Sequence, residues 1–218
     1  MKSKSPGKCL GFFVLDDGIK RLQTFAVRKS PDFRVQDQHE ETIMPFELLR
    51  SETLLKGRAF LIRRDTLKTP DGSETKFDII EHGGSVIIVP VDKDGNLLFV
   101  RQYRHAAGQD LLELPAGTLD EGEDPAVCAA REIREETGFA ADKIEKIGDF
   151  YLAPGYSTEF MHVYLAQELR HDPLEADADE FLSVEKLSFA EAIQMAERGE
   201  MPDAKSLAAL LLARSHLK

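Results

Sequence analysis

The run SVIIVPV at residues 85–91 most limits the folds open to this chain. It is continuously apolar and rich in β-branched residues, without the apolar–polar alternation of a strand that keeps one face wet. It is expected to be a strand buried on both sides, so something must cover each side. Asp94-Gly95-Asn96 then gives a hairpin signal, because these residue types accept the backbone angles of a tight turn. Residues 97–100 read as the partner strand.

Ahead of this pair, residues 59–62 and 76–81 read as strands of a separate hairpin, with the turn Thr69-Pro70-Asp71-Gly72 between them. Proline presets the turn backbone and glycine accepts positive φ. Further on, Asp124 is an N-cap, and Pro125 suits the first helical position because the N–H it lacks would have no partner there. Gly138 stands where a C-terminal glycine cap belongs. Val127, Ala130, Ile133 and Thr137 are expected to form the packing face of the helix between them. Residues 147–152 and 159–165 read as two more strands. Ser188 and Glu191 form a capping box that starts a second helix, which ends at Gly199. Asp203 caps a last helix, expected to bury Leu207, Ala208, Leu210 and Leu211. Hairpins mixed with a few helices point to an α/β (α+β) sandwich in which helices cover a mixed sheet.

Three segments follow. Residues 1–45 hold apolar pairs, charges and the breakers Pro6, Pro31 and Pro45, and form an extension with no assigned chemistry. Residues 46–82 form a small antiparallel β subdomain, and residues 83–218 the main domain. A chain of 218 residues, 42% hydrophobic, is long enough for one good core. The formal net charge of -11 and the lack of a basic patch argue against a nucleic-acid partner. Cys9 and Cys128 have neither a disulfide framework's number nor a metal site's spacing, and fit a reducing cytoplasm. The apolar run at 10–15 is too short for a signal-peptide core or a membrane span.

The chemistry gathers between Gly117 and Phe139, a loop feeding the first helix. Glu132, Glu135 and Glu136 stand at i, i+3 and i+4 and therefore share one helix face. Like charges this close repel. A helix keeps them cheaply if they are solvated, or if they hold a cation such as Mg²⁺ or Mn²⁺. The face is expected to look into solvent. Arg131, four residues before Glu135, can pair with it and hold its orientation. Cys128 lies one turn before Glu132 and reads as a small helix filler.

The upstream Gly117 and Glu123 and the downstream Gly138-Phe139 complete the pattern G-x5-E-x7-R-E-U-x-E-E-x-G-U, where U is apolar. At every fixed position the stretch resembles the signature of the Nudix hydrolases. The resemblance implies an α/β/α sandwich with a mixed sheet and metal-dependent hydrolysis of a nucleoside diphosphate linked to another group. It makes Glu132, Glu135 and Glu136 metal ligands, with Glu132 and Glu136 counted among the catalytic residues. Glu123, Arg131, Gly117 and Gly138 become structural members of the box.

The flanking segments VRQYR at 100–104 and LELPAG at 112–117 resemble those of ADP-ribose and nucleotide-sugar pyrophosphatases. That likeness implies a metal-binding carbonyl at Ala116, and substrate binding by Arg104, on phosphate, and by Glu113. Pro154, fifteen positions past Phe139, matches a proline that marks ADP-ribose pyrophosphatases. Glu180 aligns best with the family's catalytic base, with Asp179 and Glu175 left open. The leading substrate is ADP-ribose, cleaved to AMP and ribose 5-phosphate. The alternatives are another nucleotide sugar such as GDP-mannose, or a module that senses a nucleotide without cleaving it. Similar proteins exchange N-terminal strands across a two-fold axis, so the resemblance also implies a homodimer built through residues 46–82.

Overall fold

In the computed structural model, which describes residues 46–175 and 181–217, the 85–91 run is the centre of the molecule. Strand β4 (Ser85–Pro90) is buried along its whole length. Its alternate side chains go to opposite faces, as the two-residue repeat of a strand requires. Val86 and Ile88 pack with Cys128, Ala129 and Ile133 of helix α1 (Pro125–Thr137). Ile87 and Val89 join a larger cluster with Ala192 of α2 (Phe189–Glu197) and Ala209, Leu210 and Ala213 of α3 (Ala204–Ala213). Removing Ile87 or Ile88 from water is worth roughly 1.5–3 kcal/mol each. The fold is the expected helix–sheet–helix arrangement.

The central sheet runs β7 (Ala116–Thr118), β4, β9 (Phe160–His171), β8 (Phe139–Tyr151), and its β4–β9 pair is parallel while the others are antiparallel. An antiparallel sheet of β10 (Leu182–Ser188), β5 (Asn96–Arg104) and β6 (Gln109–Glu113) packs against it through Leu97, Phe99 and Leu112. A third sheet, β1 (Glu47–Lys56), β2 (Leu61–Lys68) and β3 (Glu74–Glu81), precedes them. Its link to the centre is a short bridge. The Ile80 amide donates to Tyr156 O (2.8 Å), the Thr158 amide donates to Ile80 O (2.9 Å), and the His82 amide donates to Thr158 Oγ1 (2.9 Å). Pro154 sits in the turn that presents these groups, where the Tyr156 amide donates to Ala153 O at 3.1 Å.

Several expectations need correction. The hairpin's first strand begins at Leu61, because a tight turn from Gly57 N–H to Phe60 O (2.8 Å) holds Ala59 and Phe60 out of the ladder. Strand β1, which has no alternation in its exposure, adds a third member to that sheet. Ile133 and Thr137 are buried as expected, but Val127 is 59% exposed and Ala130 half-buried, and Cys128, Ala129, Glu132 and Glu136 complete the buried face of α1. The helix is turned so that two carboxylates point inward. On α3, Leu207 and Leu211 are exposed, Ala208 is half-buried, and the buried stripe is Ser206, Ala209, Leu210 and Ala213. The Leu212 side chain of α3 rests on β8 at Gly148, where an added Cβ would come within 2.8 Å of Leu212 Cδ1. Among the described residues, no helix is long and apolar enough to cross a membrane. The extension at 1–45, together with Asp177, Asp179 and Glu180, lies outside the described residues.

Candidate active site

Helix α1 starts and stops where the residue types demand. Asp124 accepts from the Ala126 amide at 2.8 Å, Pro125 fills the first turn, and Gly138 at φ 77° closes the end with its N–H on Arg134 O. Gly138 thus fixes the far end of the helix and does not line the cleft.

Arg131 organises the acidic face. Its Nε and Nη2 donate to the two oxygens of Glu123 (3.1 and 2.9 Å), and its Nη1 donates to Glu132 (2.7 Å) and to Glu135 (2.8 Å). Glu123 also accepts from the Asp120 amide at 3.0 Å. The Arg131 guanidinium beside it holds the Glu123 carboxyl at about 2. The Arg131 pKa is raised in turn, by Glu123 first. Burial pushes the Cys128 thiol well above its usual range, so it stays protonated and packs as a filler.

Glu136 is not at a solvent-facing position. It is 5% exposed and Glu132 is 7% exposed, because both lean onto the loop around strand β7. Glu136 accepts from the Ala116 amide at 3.0 Å. A Cβ added at Gly117 would fall on the Glu132 carboxyl group, so the glycine leaves room for that side chain to rest on the loop. Pairing of Ala116 with Ile87 places this loop against the central strand.

Arg104, at the end of β5, binds Glu113 side-on, with Nε to Oε1 at 2.9 Å and Nη2 to Oε2 at 2.7 Å. Lys205 binds the same Glu113 Oε2 and also reaches Asp203 at 2.9 Å. Glu113 is 1% exposed. Burial pushes its carboxyl pKa up, but the Arg104 and Lys205 cations more than reverse this and hold it below the usual carboxylate range.

These groups line one cleft of about 720 Å³, which takes in Arg104, Ala116, Gly117, Glu132, Glu135 and Glu136. Glu113 is held behind its wall and Glu123 beneath Arg131. The cleft also contains Arg58, Ser85, Gln102, Asp120, Glu159, Asp203 and Lys205, to which the sequence reading assigned no binding role. Lys205 carried one signal. A cation in the first turn of a helix opposes the helix dipole, and needs a partner elsewhere.

Among the described residues, six carboxylates line the cleft against four cationic side chains. A cleft with that balance repels a diphosphate unless more positive charge enters. No three acidic, histidine or cysteine side chains among the described residues converge into a ready cage. Arg131 draws Glu132 and Glu135 to itself, while Glu136 is held on the Ala116 amide. The donor set nonetheless consists of hard oxygens, which suits a divalent cation of the Mg²⁺ type rather than a soft metal. The residues therefore fit such an ion.

Comparison with known proteins identifies the family and the fold. The model of the NUDIX domain matches residues 81–210. An ADP-ribose pyrophosphatase of Mycobacterium tuberculosis is 41% identical over 171 residues, covering 76% of this chain and 82% of that protein. An ADP-ribose pyrophosphatase of Bacillus subtilis is 35% identical over 164 residues, covering 74% of this chain and 89% of that one. The solved structure of an ADP compounds hydrolase superposes with a TM-score of 0.72 at 27% identity, covering 80% of this chain and 95% of its own. Nudix hydrolases are in general dependent on a divalent metal. With the full acidic box in place and the fold shared, this chain belongs to the Nudix hydrolase family.

Proposed function

We propose that this protein hydrolyses the pyrophosphate bond of ADP-ribose, giving AMP and ribose 5-phosphate, with Mg²⁺ or Mn²⁺ as cofactor. The observation that carries the reading is the placing of Arg104 and the Glu132–Glu136 pair in one cleft, close enough that Glu136 acts electrostatically on Arg104. The cation would be held by Glu132, Glu135 and Glu136 with the Ala116 carbonyl. When bound, it neutralises charge on the phosphoryl oxygens and acidifies water. Arg104 orients the diphosphate through charge-assisted hydrogen bonds. Glu113 serves the substrate by holding Arg104. Glu180 takes the proton of the attacking water, with Asp179 and Glu175 as the other candidates. A homodimer built through residues 46–82 completes each cleft.

A panel of ADP-ribose, GDP-mannose and related nucleotide sugars, incubated with Mg²⁺ or Mn²⁺ and read by product chromatography, tests the assignment. AMP from ADP-ribose at the highest kcat/KM is expected. A preference for GDP-mannose overturns the substrate, and tight binding without turnover overturns the enzyme. Glu180→Gln should lower kcat on the order of 10²-fold while metal affinity holds. A collapse of metal affinity would make Glu180 a ligand instead.

A further inference from the structure

The start of α3 is tied to the cleft by more than packing. Asp203 caps the helix by accepting from the Ser206 amide (3.0 Å) and hydroxyl, and Ser206 Oγ in turn accepts from the Leu114 amide at 2.8 Å. Leu114 lies two residues before Ala116, so the same cap fixes the loop that touches Glu136. Lys205, one residue before Ser206, reaches from Asp203 to Glu113. A chain of polar contacts thus runs from the C-terminal helix to the wall of the cleft.

The geometry at Arg104 shows what this arrangement does. Glu113 occupies the side-on edge of the guanidinium, Nε and Nη2. The end-on edge, Nη1 with the second hydrogen of Nη2, makes no hydrogen bond among the described residues. Arg104 keeps 40% of its side chain exposed and lines the cleft. An end-on guanidinium fork matches two oxygens of a phosphate. A carboxylate shared with one cation alone would cancel most of the charge that Arg104 offers. Here Glu113 is divided between two cations, so Arg104 is locked in orientation yet stays electropositive toward the cleft. Lys205 accepts an unfavourable place at the positive end of α3 in order to do this.

We infer that Lys205 is a positioning residue. Through Glu113 it holds the end-on face of Arg104 toward the diphosphate, so that the C-terminal helix sets the affinity of the site for its anionic substrate. The inference rests on the proposed role of Arg104 as the phosphate contact, and the test separates the two.

In the full-length protein with Mg²⁺, steady-state kinetics on ADP-ribose are measured for Lys205→Met, Lys205→Arg, Arg104→Ala and the Arg104→Ala/Lys205→Met double variant. Lys205→Met should raise KM about tenfold with kcat changed less than about threefold. Lys205→Arg should restore KM. The double variant should be no worse than Arg104→Ala alone, the non-additivity of residues acting on one group. A purely structural lysine would instead lower kcat and Tm together and multiply the effect of Arg104→Ala. That result, or an unchanged KM in Lys205→Met, overturns the inference. An unchanged KM in Arg104→Ala overturns the phosphate-contact reading and the inference with it. If Lys205→Met fails to fold, Lys205→Gln, which keeps a hydrogen-bond donor beside Glu113 but removes the charge, carries the same test.

Discussion

Gly117 has no side chain because the Glu132 carboxylate occupies the place where a Cβ would stand. Its φ is ordinary, so an alanine there leaves the backbone unstrained and acts on Glu132 alone. Gly117→Ala should therefore cut kcat on the order of 10²-fold, as an ångström-scale misplacement at a reacting site does, while circular dichroism stays that of the wild type. Unchanged kcat would mean that Glu132 need not rest on this loop. The residue types at 117, 123, 131, 132, 135 and 136 were all legible in the sequence, since their spacing is itself the signal. Their burial was not. Helical periodicity puts three glutamates on one face, but only the loop from Ala116 to Thr118, folded back onto the central strand, turns that face inward. Lys205 was missed for the same reason, because its partner Glu113 lies 92 residues away.

At the scale of an element, α1 and its preceding loop are held together by charge as well as by packing. Glu123 bridges the loop to the helix through Arg131, and this contact stabilises only while Glu123 is ionised. Its folded pKa of about 2 lies below the ordinary 4.5. The stabilisation is therefore complete above pH 4.5 and drains away as pH falls toward 2. In the metal-free protein, thermal melting of wild type and Glu123→Gln should differ at neutral pH, with the gap closing across that acid window. A gap that stays constant down to the lowest pH would show that Arg131 does not depend on the Glu123 charge. The caps of all three helices could be read in the sequence, because Asp124, Ser188 and Asp203 act locally. The short strands β6, β7 and β10 could not. Gln109–Glu113 and Leu182–Ser188 mix charge and apolar residues without a clean two-residue repeat, and what makes them strands is their pairing with β5.

For the whole molecule, the sheet β1–β2–β3 raises the question of what covers it. Phe46, Leu48, Leu49, Leu54, Leu55, Phe60 and Phe77 are all at least 40% exposed, and the outer edge of β1 has no ladder partner among the described strands. Large apolar side chains grouped on a sheet and its flanking turns are a surface for another chain. In solution, light scattering at micromolar concentration should give twice the mass of one chain. Leu48→Glu/Leu55→Glu should reduce it to one chain's mass and lower activity with it, whereas a fully active monomeric variant would separate the sheet from the site. The parallel joining of β4 to β9 also bears on time. Ser85 lies beside Met161 and Pro90 beside Ala166, so the innermost strand leaves the ribosome well before its neighbour exists. In that interval its five water-averse residues, Val86 to Pro90, are an open, adhesive edge, and contacts so distant along the chain are slow to close. The strand that gives the finished enzyme its dry centre is, while the chain is still being made, a point of vulnerability.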